Sequence, residues 1–81
     1  MAKKIVKANI PEPQILLNQK ILGEFVHAAR TNNNLTVQDA AALCNISINT
    51  MNNIENAKAD IKLSTVIKVC SMLGITIRIE A

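Results

Sequence analysis

Aromatic side chains are almost missing from this sequence, which has no Trp, no Tyr and a single Phe, Phe25. Modules that read single-stranded nucleic acid stack bases on aromatic faces, so RNA-recognition and cold-shock readings are disfavoured. Glycine is nearly as scarce: Gly23 and Gly74 are the only two, and no phosphate-cradling glycine loop can be built from them. Cys44 and Cys70 lack the paired spacing of a metal or redox motif. With no signal-peptide pattern ahead of them, they read as reduced core thiols of a cytoplasmic protein. The longest apolar run, Ala40 to Cys44, has five residues, against the roughly 20 of a membrane span, so no membrane association is expected.

What remains is a chain of 81 residues with 49% hydrophobic content, one domain built on Ile, Val, Leu, Ala and Met. A domain of this size buries only about 60 to 65% of its unfolded surface, which makes a second copy a useful partner. The formal charge of +3 permits a polyanionic ligand. Its distribution is uneven: Lys3, Lys4 and Lys7 crowd the start, Lys58, Lys62 and Lys68 lie in the second half, and Leu35 to Ile54 holds one charge, Asp39.

Residues 1–12 read as a basic arm, with Val6, Ala8 and Ile10 alternating with Lys7 and Asn9 as in a short strand, ended by Pro11-Glu12-Pro13. A helical region over 13–74 follows. Its first helix is predicted from Pro13 to about Asn32, with two apolar stripes, Leu22, Val26, Ala29 and Leu17, Ile21, Phe25, Ala28. The surplus stripe implies contact with the arm or with a second subunit. Thr36, with Asp39 three residues on, caps a short helix with Val37, Ala40, Ala41 and Cys44 inward; Ser47 caps the next, with Met51 and Ile54 inward. A last helix, capped by Ser64, points Leu63, Val66, Ile67, Cys70 and Leu73 inward and stops at Gly74. Residues 75–81 alternate Ile75, Ile77 and Ile79 with polar residues, the pattern of a strand. An isolated strand leaves its backbone unpaired, so a mate is required, either the arm or the same strand of a second copy.

No catalytic constellation is present, so no enzyme, cofactor or metal is expected. His27 has no ligand partner at metal spacing and reads as a solvated or boundary histidine, and Glu12 and Glu24 lack an acidic partner. Residues 36–56 carry the sharper signal. A small residue at a helix crossing (Ala41), a residue tolerant of left-handed angles at the turn (Asn45) and branched or long apolar anchors (Ile46, Met51, Ile54) make a helix-turn-helix. Its second helix then offers Ser47, Ile48, Asn49, Asn52 and Asn53 to a major groove. Asn can bind adenine through two hydrogen bonds, and Ile48 or Thr50 can touch a thymine methyl.

The run Leu22-Gly23, Arg30, Leu35-Thr36, Ala41, Ile46-Ser47, Thr50, Met51, Ile54-Glu55 resembles the Cro/C1 (XRE) family of helix-turn-helix repressors. Within it, LGEFVHAAR at 22–30 and VIKVCSMLGITIRI at 66–79 are similar to HipB-type antitoxins. The resemblance implies a mostly α, lambda-repressor-like bundle of four to five helices whose C-terminal β-strand pairs in a homodimer through Ile75, Ile77 and Ile79, with Phe25 as a further contact. It also implies an ion pair between Arg30 and Glu55, and phosphate contacts from Thr36, Gln38, Thr50, Lys58 and Lys62. The chain departs from the family pattern at Val37, where many members have Gln, and at Asn45 and Ala57, where they have glycine. The implied function is repression of its own operon from a palindromic operator in double-stranded DNA, together with binding of a HipA-like kinase toxin. The alternatives are a protein-interaction module that keeps the fold but binds DNA weakly, and a phage-type or host regulator without a toxin.

Overall fold

The computed structural model describes residues 4–81; Lys3 and the arm residues before it lie outside the described residues. Four helices follow one another, α1 (Gln19–Asn32), α2 (Val37–Cys44), α3 (Ile48–Glu55) and α4 (Leu63–Leu73). Helix α3 packs on α1 and α2, and α4 closes the other side against the same two. The core is Val26, Ala40, Ala41, Cys44, Met51, Ile54, Val69 and Leu73, with Leu22, Ala29, Leu35, Ile46 and Ile75 packed around it. Burial pushes the Cys44 and Cys70 thiols above their ordinary range, so both stay protonated at neutral pH.

Local chemistry sets the boundaries. The Asn18 side chain accepts from the Ile21 N–H at 3.0 Å and starts α1, not Pro13. Proline only fixes φ, whereas Asn18 satisfies an orphan amide of the first turn. Residues 13–17 therefore lie outside the helix and are exposed, and Leu17, on the surplus stripe, is 77% exposed. Thr36 and Asp39 form a reciprocal capping box on α2. Asn45 ends α2 with φ 55° and ψ 47°, and the Ile46 N–H reaches back to the Ala41 carbonyl at 3.0 Å. Ser47 caps α3. Helix α4 begins after Lys62 with no side-chain cap, so Ser64 lies inside its first turn. Its buried residues are Val69, Cys70 and Leu73, while Leu63 and Ile67 face out; the buried stripe is rotated from the expected one, with Val69 taking an inward place. Gly74 ends α4 at φ 77°.

Neither expected strand is present among the described residues. In the arm the half-buried positions are Ile5, Ala8 and Pro11, a three-residue period where the alternation of a strand would give two. At the other end, Ile75 packs on the core while Ile77 and Ile79 are exposed. A strand exists only through a partner's hydrogen-bond ladder, and no backbone hydrogen bond joins the arm to the C-terminal segment among the described residues.

Gly23 fixes how close α1 and α3 come. A Cβ there would lie 2.6 Å from the Glu55 carbonyl oxygen and 2.7 Å from that of Ile54, so the two backbones touch where any side chain would hold them apart.

Candidate nucleic-acid interface

Helix α3 is short, and one side of it is spent on the fold: Met51 is 0% and Ile54 3% exposed. On the opposite side Ile48, Asn49 and Asn52 are exposed and share one face, being spaced one and four residues apart. Asn53 is rotated from them and half-buried, lining a groove toward Ile61, Lys62 and Thr65.

Ser47 is exposed but engaged. Its Oγ accepts from the Thr50 N–H at 3.0 Å, and its proton goes to Thr50 Oγ1 at 2.8 Å. A hydroxyl has one proton to give, so Ser47 keeps only acceptor capacity while the Thr50 O–H stays free to donate to a phosphate oxygen.

The amides sort by use. Asn18 caps α1, Asn32 donates to the Ala8 and Ala28 carbonyls, Asn33 to Ala29 and Asn56 to Asn52. Asn34 and Asn45 occupy left-handed turns. Among the described residues no internal hydrogen bond uses the side chain of Asn49, Asn52 or Asn53. The chain is rich in Asn, yet those on α3 are the ones held on a rigid helix with donors and acceptors unspent.

The flanks carry the charge. Lys58 and Lys62 are exposed, at the end of α3 and the start of α4. Gln38 is exposed in the first turn of α2. Thr36 is half-buried and its hydroxyl accepts from the Asp39 N–H at 3.0 Å, while the Asp39 carboxylate accepts from the Thr36 N–H at 3.1 Å. That carboxylate occupies the α2 N-terminus and opposes a phosphate there.

The structure brings Arg30 and Glu55 together. Arg30 donates from Nε to Oε2 at 2.7 Å and from Nη2 to Oε1 at 3.0 Å, and from Nη1 to the Leu35 carbonyl at 2.8 Å. Both side chains are about nine-tenths buried. His27, read from sequence as a solvated or boundary histidine, is about half exposed and reaches the same carboxylate, with Nδ1 at 2.8 Å from Oε1. The Glu55 carboxylate can only accept, so at this distance Nδ1 carries the hydrogen and donates to it. Nothing in the spacing of 28 residues signals that contact. The expected dimer residues stand apart: Ile77 and Ile79 are exposed, and Phe25 is half-buried outside the core cluster.

No helix among the described residues is long and apolar enough to cross a membrane. A comparison with curated proteins returns no match. The helix-turn-helix family profile matches residues 26–79, from the middle of α1 through α3 to the C-terminal segment. Matched over 54 of its 81 residues, the chain belongs to the helix-turn-helix family of Cro/C1 (XRE) type, a family of DNA-binding regulators.

Proposed function

We propose that this protein is a sequence-specific transcriptional repressor that binds a palindromic operator as a homodimer, and that it acts as a HipB-like antitoxin, repressing its own operon and binding a HipA-like kinase toxin. The observation that carries the DNA reading is the set of unspent amides of Asn49 and Asn52, beside Ile48 on the exposed face of α3. Asn supplies the paired donor and acceptor that adenine presents in the major groove, and an aliphatic tip suits a thymine methyl. The face therefore favours A·T pairs. Phosphate contacts fall to Gln38, the free Thr50 hydroxyl, Lys58 and Lys62, with Ser47 and Thr36 acting mainly as helix caps. The dimer is supported by Ile79, 94% exposed, on a segment that pairs with no other strand among the described residues.

Binding of DNA from upstream of the protein's own coding region, followed by fluorescence anisotropy against random duplex over a salt series, tests the reading. A repressor prefers the upstream DNA at every salt concentration. Equal affinity for both, or no binding at all, rejects it. Co-purification with the product of the adjacent gene tests the toxin partnership. The second reading, a protein-interaction module, is favoured by the absence of Lys and Arg on the exposed face of α3 and by the Asp39 carboxylate at the start of α2; it predicts weak duplex binding with no preference for the upstream DNA.

A further inference from the structure

The chain ahead of α1 is gripped at one residue through its backbone. The Ala8 N–H donates to Thr31 Oγ1 at 3.0 Å, and the Ala8 carbonyl accepts from Asn32 Nδ2 at 2.6 Å. Both side chains are anchored on the helix that carries them: the Thr31 hydroxyl points its proton at the His27 and Ala28 carbonyls, at 2.9 and 3.2 Å, and Asn32 also donates to Ala28 at 2.7 Å. Thr31 is 3% exposed. Its single proton given to the helix, its oxygen is left to accept from the arm. This clamp fixes the register of the arm whatever its side chains are.

Register decides where the arm's charge goes. With Ile5, Ala8 and Pro11 half-buried against the body, Lys4 and Lys7, three residues apart, are both exposed. The clamp lies at the end of α1 that turns into α2. There the Leu35 N–H donates to the Arg30 carbonyl at 3.1 Å and Arg30 Nη1 to the Leu35 carbonyl at 2.8 Å, folding Thr36 back beside the last turn of α1. The reading face has no cation of its own and the α2 N-terminus holds a carboxylate, so neutralisation of phosphate has to come from the flanks. Lys58 and Lys62 provide one flank.

We propose that the clamped arm is a second DNA-contacting element, in which Thr31 and Asn32 hold Lys4 and Lys7 against a phosphate strand beside the groove that α3 enters. The inference rests on the DNA-binding reading above. It differs from a loose basic tail because the clamp, and not the charge alone, sets the contact.

Affinity for random-sequence duplex across a salt series tests it, since each neutralised phosphate contributes about 0.9 to the slope of log K against log salt. Joint replacement Lys4→Ala and Lys7→Ala is expected to lower that slope by up to about 1.8. Thr31→Val, which removes the acceptor and keeps every charge, is expected to lower it comparably. Ala8→Pro, which removes the donor and lies outside the helices, gives the same result without perturbing α1. An unchanged slope in the double lysine variant overturns the proposal. So does a lysine effect with wild-type slopes for both Thr31→Val and Ala8→Pro, which is the signature of a free tail. If Lys58→Ala lowers the slope and the arm variants do not, the arm inference alone fails; if none of them binds duplex, nor the wild type, the DNA reading falls with it.

Discussion

Glu55 takes three donors on two oxygens, from Arg30 Nε and Nη2 and from His27 Nδ1, and is itself largely buried. Arg30→Ala removes two of the three and strands the carboxylate, so a loss of about 3 kcal/mol is expected. Urea unfolding followed by far-ultraviolet circular dichroism measures it, as the chain has no Trp to report; a change below about 0.5 kcal/mol, the range of ordinary surface substitutions, would show the pair to be inert. Ala57 is the opposite case. It holds φ 55°, a conformation that costs an L-residue about 1–2 kcal/mol and a glycine almost nothing. Against this, glycine adds about 0.4–1 kcal/mol of unfolded-state freedom. Ala57→Gly should therefore stabilise by about 0.5–1 kcal/mol, visible as a higher unfolding midpoint. Both sites were legible only through family resemblance, because periodicity along a chain cannot pair residues 25 positions apart or assign a backbone angle to an alanine. The His27 contact escaped even that, since an exposed histidine on a helix has no pattern.

Among the elements, the turn and α3 were legible because their signals are local. Thr36, Asn45 and Ser47 each act within three or four residues, and Ala41, Met51 and Ile54 follow helical spacing. The starts of α1 and α4 were misplaced where two local signals competed: Pro13 permits a helix but Asn18 caps one, and Ser64 is a good cap that the helix has already passed. The strands failed because a ladder is not a local property. Gly23→Ala tests the contact between α1 and α3. A methyl group there meets two carbonyl oxygens under 3 Å, so the expected cost is about 1–3 kcal/mol of overpacking, less about 1 kcal/mol of helix propensity. A stabilised variant would show that the helices can part freely. On the reading face, Asn52→Ala should relax base preference while changing stability by less than about 0.5 kcal/mol. Lys58→Ala should weaken all sequences alike. Competition binding with operator and random duplex separates these effects, and wild-type selectivity in Asn52→Ala would remove that side chain from the reading set.

For the molecule as a whole, the proposed dimer is tested at the C-terminal segment. Deleting residues 75–81 removes one half-buried core neighbour, Ile75, and the exposed Ile77 and Ile79. If a second copy pairs there, the truncated chain should sediment as a monomer, keep most of its helical signal and lose operator affinity, since two half-sites about 34 Å apart need two joined reading helices. A truncated chain that still sediments as a dimer would move the interface to α1, where Ile21 and Phe25 remain half-buried outside the core. The seating of α3 bears on the history of such a protein. Its pose is held by carbonyls against Gly23, by Met51 and Ile54, and by Glu55 on Arg30, none of which lies on the face carrying Ile48, Asn49 and Asn52. Those three positions can be exchanged as a set without disturbing the scaffold. If that face reads the operator as proposed, a lineage built on this scaffold acquires new operators by drift at a few codons, and sister proteins with separate regulons share nearly everything except those letters.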